Sequence, residues 1–183
     1  MNNNLYEDSI ILIGPSGAGK TTMAKYFENI LNMPRINLDK MELDARDFNL
    51  RNQFGTNEDF YYYLIKTAID LALKNETAYV IDFGANHSIY HDSKVLEEVK
   101  KLLKPFKNIV LLLPYRDKQK AITVMSNRSH GDTSNNAEFY DSLSNKELQT
   151  MTIYGEGRTP KEIADEILTN IERRRNFEAS GTL

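Results

Sequence analysis

The stretch Gly14-Pro15-Ser16-Gly17-Ala18-Gly19-Lys20-Thr21 follows directly on the apolar run Ile10-Ile11-Leu12-Ile13 and opens a helical pattern, a succession that few folds accept. It fits G-x-x-x-x-G-K-[ST]. Glycines let such a loop wrap tightly, so that consecutive backbone N–H groups converge on phosphate oxygens, and the following helix adds the positive end of its dipole. Lys20 then reaches the β- and γ-phosphates of a nucleoside triphosphate, here expected to be ATP, and the Thr21 hydroxyl is a ligand for Mg²⁺. The residues expected to contact the nucleotide are Gly14, Ser16, Gly17, Ala18, Gly19, Lys20, Thr21 and Thr22. A guanine-reading Asn-Lys-x-Asp is missing: the nearest string, Asn145-Lys146-Glu147-Leu148, has no aspartate and sits at a helix start.

Short β-branched runs alternate with longer amphipathic stretches along the chain, the pattern of βαβ units in an α/β protein. Strands are expected at Ser9–Ile13, Arg35–Leu38, Ala78–Asp82, Asn108–Leu113 and Met151–Tyr154. Nearly continuous apolar runs such as Ile109-Val110-Leu111-Leu112-Leu113 suit parallel strands covered on both faces. Helices are expected from Gly19 to about Leu31, over Asn57–Lys74 with Phe60, Leu64, Ala68 and Leu71 on one face, over Asp92–Leu103 and from Asp117 to Asn127. Ser144-Asn145-Lys146-Glu147 and Thr159-Pro160-Lys161-Glu162 read as capping boxes, the second with proline at the favoured first helical position. The last helix would bury Ile163, Ile167, Leu168 and Ile171. Ser126–Asn136 is polar enough to read as a mobile loop, and Glu178–Leu183 as a frayed tail.

The length of 183 residues suggests one domain spanning 1–183. A net charge of −3 predicts no general affinity for nucleic acid or an anionic membrane, and no apolar run is long enough to cross a bilayer. The chain has no cysteine, which excludes thiolate metal sites and thiol nucleophiles. The polar Met1-Asn2-Asn3-Asn4 does not look like a signal peptide, so a cytoplasmic location is the simplest reading. Arg173-Arg174-Arg175 reads as a solvated helix end, and His87, His91 and His130 as surface polar residues without metal-ligand spacing.

From Ser9 to about Arg173 the layout resembles shikimate kinase and its relatives among small-metabolite and nucleoside monophosphate kinases. The resemblance implies a three-layer P-loop kinase fold with a five-stranded parallel sheet of order 2-3-1-4-5 flanked by helices. It also implies a helical substrate-binding region over about 40–75 and a mobile lid over about 126–136. The family's second strand ends in Asp-x-Asp, and here that position reads Asn37-Leu38-Asp39. Asp39 thus matches the carboxylate that holds and deprotonates the accepting hydroxyl. Asn37 replaces the aspartate that supports Mg²⁺, and Asp82, a Walker B-like residue, can restore its charge. The family's glycine-rich turn survives as Phe83-Gly84-Ala85-Asn86, with Gly84 on the substrate side. Arg128 falls beside the lid arginine that covers the transferring phosphate, and Gly157-Arg158-Thr159-Pro160 matches the adenine-contacting loop, with Arg158 and Pro160 as contacts.

Two departures concern the acceptor. Tyr61 follows Phe60 where shikimate kinases carry a carboxylate-binding arginine, and Ser142 aligns near their second such arginine. Tyr61-Tyr62-Tyr63 can stack on a ring or serve ordinary helix packing, and Arg46 and Arg51 remain as anion contacts. The expectation is an ATP- and Mg²⁺-dependent phosphotransferase acting on a small polar hydroxyl compound other than shikimate, as a monomer or homodimer. Catalysis would rest on Lys20, Asp39 and Arg128, the metal on Thr21 and Asp82, and the acceptor on Asp39, Tyr61 and Gly84. A nucleotide-sugar or antibiotic kinase, and an ATP-binding sensor without transfer, remain as alternatives.

Overall fold

The structure, a computed structural model, describes residues 5–47, 49–128 and 136–181. Five strands, β1 (Ile10–Ile13), β2 (Arg35–Asn37), β3 (Val80–Asp82), β4 (Ile109–Leu113) and β5 (Met151–Tyr154), pair in parallel in the order β2-β3-β1-β4-β5. The α/β class and the order expected from the resemblance are thus both observed. The helices in chain order are α1 (Leu5–Asp8), α2 (Lys20–Leu31), α3 (Leu38–Asp47), α4 (Asn57–Lys74), α5 (Ser93–Leu103), α6 (Lys118–Arg128), α7 (Asn136–Asp141), α8 (Leu143–Leu148) and α9 (Pro160–Ala179). Short 3₁₀ turns occupy Leu50–Gln53 and Ala85–Ser88.

Successive strand side chains point to opposite faces, and that alternation divides the core in two. Ile11 and Ile13 of β1, with Ile81, Ile109, Leu111 and Leu113, pack under α4, α5 and α8. Ile10 and Leu12, with Val80, Val110, Leu112 and Ile153, pack against Met23, Ala24 and Phe27 of α2 and Ile163, Ala164, Ile167 and Ile171 of α9. The result is three layers, and it explains why β1 reads as an unbroken apolar run. Each fully buried isoleucine or leucine there contributes about 1.5–3 kcal/mol relative to exposure.

Several local expectations are corrected. β2 stops at Asn37, because Asn37 Oδ1 accepts from Lys40 N–H at 2.7 Å and turns Leu38 into the first residue of α3. Ser142, not Ser144, caps α8: its hydroxyl accepts from Asn145 N–H at 3.2 Å, while Ser144 Oγ accepts from Tyr90 N–H at 3.1 Å. Leu71 lies on the solvent side of α4, and Leu168 is only partly buried. Ser126 to Arg128 belong to α6, Asn136 begins α7, and residues 129–135 of the expected lid, with His130, lie outside the described residues. Helix α9 runs to Ala179, past the start of the expected tail, so the arginine triplet is not its end. Arg174 pairs with Glu7 and donates to Asn108 Oδ1 at 2.9 Å, and Arg175 pairs with Asp8 at 2.6 Å, tying α9 to α1. The Thr159 capping box forms as expected. No helix among the described residues is long and apolar enough to cross a membrane.

Candidate active site

Beyond the carboxyl end of β1 the chain enters the loop 14–19, wedged between β4 and α6. Gly14 has φ 131°, and a Cβ there would lie 2.5 Å from Leu112 O; at Gly17, with φ 73°, it would lie 2.9 Å from Met125 O. Neither position accepts a side chain. Lys20 is buried, and its Nζ donates to Gly14 O at 2.7 Å and Pro15 O at 2.9 Å, folding back over its own loop. Burial pulls its pKa down to about 8, against the opposing pull of the Asp82 and Asp39 carboxylates.

Register places Leu12, Asp82 and Asn37 side by side at the ends of β1, β3 and β2. Asp82 Oδ2 accepts from Asn37 Nδ2 at 3.0 Å and from Arg35 Nη1 at 3.5 Å. Among the described residues its Oδ1 is buried without a hydrogen-bond partner. Burial raises the Asp82 pKa, and the nearby Thr21 hydroxyl with the charges of Lys20 and Arg35 opposes the rise. An orphaned carboxylate oxygen beside a hydroxyl at the phosphate loop is a set of hard donors that fits Mg²⁺. Asn37 gives its amide to Asp82 and its oxygen to the helix start.

Asp39 is the second residue of α3, and its side chain is 61% exposed. Since Asn37 supplies the cap, Asp39 is not held as one. A cleft of about 570 Å³ is lined by Ser16, Gly17, Gly19, Lys20, Thr21 and Thr22 of the phosphate loop and the start of α2, together with Asp39, Ala85 and Arg128. Arg128 is exposed at the last residue of α6, not in a polar loop, and α6 reaches the phosphate loop where Met125 and Arg128 meet Gly17. An adjoining cleft of about 220 Å³ holds Ala18, Arg158, Pro160, Gly155, Tyr115 and Pro114. Arg158 lines it with its guanidinium already committed to Tyr154 O and Glu166.

Gly84 lies against Asp39 so closely that a Cβ there would fall 1.8 Å from Asp39 Oδ1. Its N–H donates to His87 Nδ1 at 2.9 Å, and His87 Nε2 lies 3.0 Å from Glu42 Oε2. The expectation of a surface residue is therefore wrong for His87, which is 1% exposed, whereas His91 is exposed. A ring nitrogen that accepts from a backbone N–H carries no proton, so Nε2 holds it and donates to Glu42. Asp39, Glu42 and His87 each place one ligand atom within 4.8 Å of the others, yet both His87 nitrogens are spoken for, which disfavours a cation there. Tyr61 is buried with its ring edge-on to His87 at 4.8 Å, and a hydrogen bond joins it to the Asn86 side chain. Tyr62 and Tyr63 serve packing, Tyr63 against Phe54 at 5.1 Å. Ser142 lines a separate cleft with Lys118 and Leu143. Glu42 carries no motif of its own in the sequence, and His87 follows the turn Phe83-Gly84-Ala85-Asn86 without belonging to it, so neither stood out as a neighbour of Asp39. The i, i+3 spacing of Asp39 and Glu42 was the one available hint.

No protein-family model matches the chain. A shikimate kinase of Enterococcus faecalis is 27% identical over 179 residues, covering 90% of this chain and 99% of that protein. Among solved structures, shikimate kinase from Aquifex aeolicus matches with a TM-score of 0.62 at 19% identity over 91% of this chain and 98% of that one. A gluconokinase from Sinorhizobium meliloti matches with a TM-score of 0.63 at 16% identity over 97% and 99%. The chain is thus similar in sequence to a shikimate kinase and shares its fold with shikimate kinases and a gluconokinase.

Proposed function

We propose that this protein transfers the γ-phosphoryl group of ATP to a hydroxyl of a small polar acceptor other than shikimate. The observation that carries this reading is the single cleft shared by the phosphate loop and the Asp39 carboxylate. In the proposed reaction, Lys20 leaves the carbonyls of Gly14 and Pro15 and turns to the β- and γ-phosphates. Asp39 accepts the proton of the acceptor hydroxyl, whose oxygen forms a bond to the γ-phosphorus as the bond to the β,γ-bridging oxygen breaks and ADP departs. Arg128 neutralises charge that spreads over the transferring oxygens. Mg²⁺, held through Thr21 and Asp82, would supply charge screening of the triphosphate. The adenine would occupy the adjoining cleft beside Arg158 and Pro160, and the acceptor would lie beside Tyr61 and Gly84. Tyr61 and Ser142 in place of two arginines remove the charge-assisted bonds a carboxylate acceptor needs.

Asp39→Asn tests the reading, because it keeps shape and removes basicity. Phosphoryl transfer, found by screening a metabolite library for gain of one phosphoryl group, should fall about 10²–10⁴-fold with nucleotide affinity nearly intact. Arg128→Ala should likewise lower turnover more than ATP affinity. Unchanged turnover in both variants at matched melting temperature would refute these roles.

A further inference from the structure

Asp39 and Ala85 line the nucleotide cleft from two separate pieces of chain, the first turn of α3 and the 3₁₀ turn after β3. The Asp39 carboxylate stands against the backbone of Gly84, the residue that opens that turn, with most of its surface in solvent. A side chain so exposed keeps its rotamer freedom unless the pieces around it are fixed.

One buried side chain joins the two pieces. His87 Nδ1 accepts from the Gly84 N–H at 2.9 Å and lies 3.9 Å from Asp39 Oδ1, and its Nε2 donates to Glu42 Oε2 at 3.0 Å. Glu42 follows Asp39 on α3 by about one helical turn. The ring thus grips α3 with one nitrogen and the turn with the other. It is itself held: Tyr61 of α4 meets it edge-on at 4.8 Å, and the Tyr90 hydroxyl donates to His87 O at 2.6 Å. Burial pushes the Tyr90 phenol up, which keeps that donor protonated. The His87 hydrogen bond, above all, holds the Glu42 carboxyl below its usual range, and Arg46 pairs with the same carboxylate. A buried network with its hydrogen bonds made is rigid. With one nitrogen accepting and the other donating, the ring is neutral and leaves the Asp39 charge unpaired.

We infer that His87 is a positioning residue: by tying Glu42 to Gly84 it fixes α3 against the turn, and so holds the Asp39 carboxylate in the cleft for the acceptor hydroxyl. This inference rests on the phosphotransfer reading above. Neither His87 nor Glu42 lines the cleft, and both act through Asp39.

Two readouts on the full chain test it, with His87→Asn and His87→Gln as variants that each keep one end of the tie. An asparagine amide reaches about as far as Nδ1, and a glutamine amide about as far as Nε2. The first readout is the Asp39 side-chain rotamer, measured without turnover from backbone-to-Cγ three-bond couplings in the protein saturated with Mg²⁺ and a non-hydrolysable ATP analogue. One rotamer should dominate in the parent, and averaging should appear in both variants with analogue affinity unchanged. The second is ATP hydrolysis, in which water stands in for the acceptor hydroxyl. Its kcat should fall about ten- to hundredfold in each variant with the KM for ATP little changed, the cost of a displaced catalytic group. In an Asp39→Asn background the same substitutions should be silent, because a residue that acts through Asp39 then has nothing to position. Equal losses in both backgrounds would mark a merely structural residue and overturn the inference. An averaged Asp39 in the parent, or one dominant rotamer in both variants, would overturn it too. Where hydrolysis is too slow to measure, the couplings decide alone. If the histidine variants fail to fold, Glu42→Ala opens the α3 end of the tie and carries the same expectations. Hydrolysis that is insensitive to Asp39→Asn would refute the transfer role of Asp39, whereas the couplings read the tie itself.

Discussion

Raising the pH from about 7 to about 9 should weaken ATP binding about tenfold through Lys20 alone. With its pKa at about 8 in the protein without nucleotide, Lys20 is about nine-tenths protonated at pH 7 and about one-tenth protonated at pH 9. In the complex the triphosphate replaces the carbonyls of Gly14 and Pro15, and its negative charge raises the lysine pKa again, so the bound lysine stays charged. Binding at pH 9 must therefore take up close to one proton, at about 1.4 kcal/mol, whereas binding at pH 7 takes up almost none. Titration calorimetry in two buffers of different ionisation heat measures that proton directly. Lys20→Met should bind more weakly and lose the pH slope. The same shift has a consequence for stability. The unfolded chain holds this proton up to a pKa near 10.5, so the lysine's penalty on the folded, nucleotide-free protein is full below about pH 8 and is relieved toward 10.5, by up to about 3 kcal/mol. Relative to Lys20→Met, the parent should gain stability over that window. An ATP affinity that changes less than about twofold from pH 7 to 9, with no proton uptake, would refute the buried, depressed lysine.

Two further substitutions address neighbouring parts of the cleft. Gly84→Ala puts a methyl group 1.8 Å from the present position of Asp39 Oδ1, which can swing away because the side chain is largely exposed, and 2.8 Å from Nδ1 of the buried His87, which must shift as well. Turnover should drop at least tenfold while the melting temperature falls only a few degrees, and parental kinetics would contradict the close approach. Asp82→Asn removes the buried charge beside Thr21. The Mg²⁺ concentration needed for half-maximal ATP binding should rise about tenfold, while metal-independent nucleotide binding should change little, and an unshifted Mg²⁺ titration would remove Asp82 from the metal site.

Local chemistry made much of this protein legible before any coordinates. The phosphate loop is a contiguous string whose glycines, lysine and threonine act within a few residues of one another. The strands β1 and β4 declare themselves because burial on both faces demands unbroken apolar residues. The Thr159 capping box involves groups three residues apart, so spacing alone describes it. The positions of Asp82, at the carboxyl end of β3, and Asp39, two residues beyond β2, were legible too, since chain leaving parallel strands collects at one edge of the sheet in this class of fold.

What the sequence by itself determined, then, was the α/β class, the phosphate-loop string and the carboxylates just beyond β2 and at the end of β3. The tertiary structure decided the rest, because the partners are far apart in the chain. Glu42 and His87 are separated by 45 residues, and only the parallel packing of β2 against β3 brings α3 over the turn that holds His87. The histidine looked like a surface residue because its three local neighbours, Asn86, Ser88 and Gly84, are polar or small, and its burial comes from Tyr61 and Glu42 across the fold. Asn37 was legible as a lost charge, but its two bonds, one starting α3 and one holding Asp82, required the register of β2 and β3. Short-range hydrogen bonding and periodicity are written along the chain. Which distant groups pack beside a given side chain is fixed only when the layers come together.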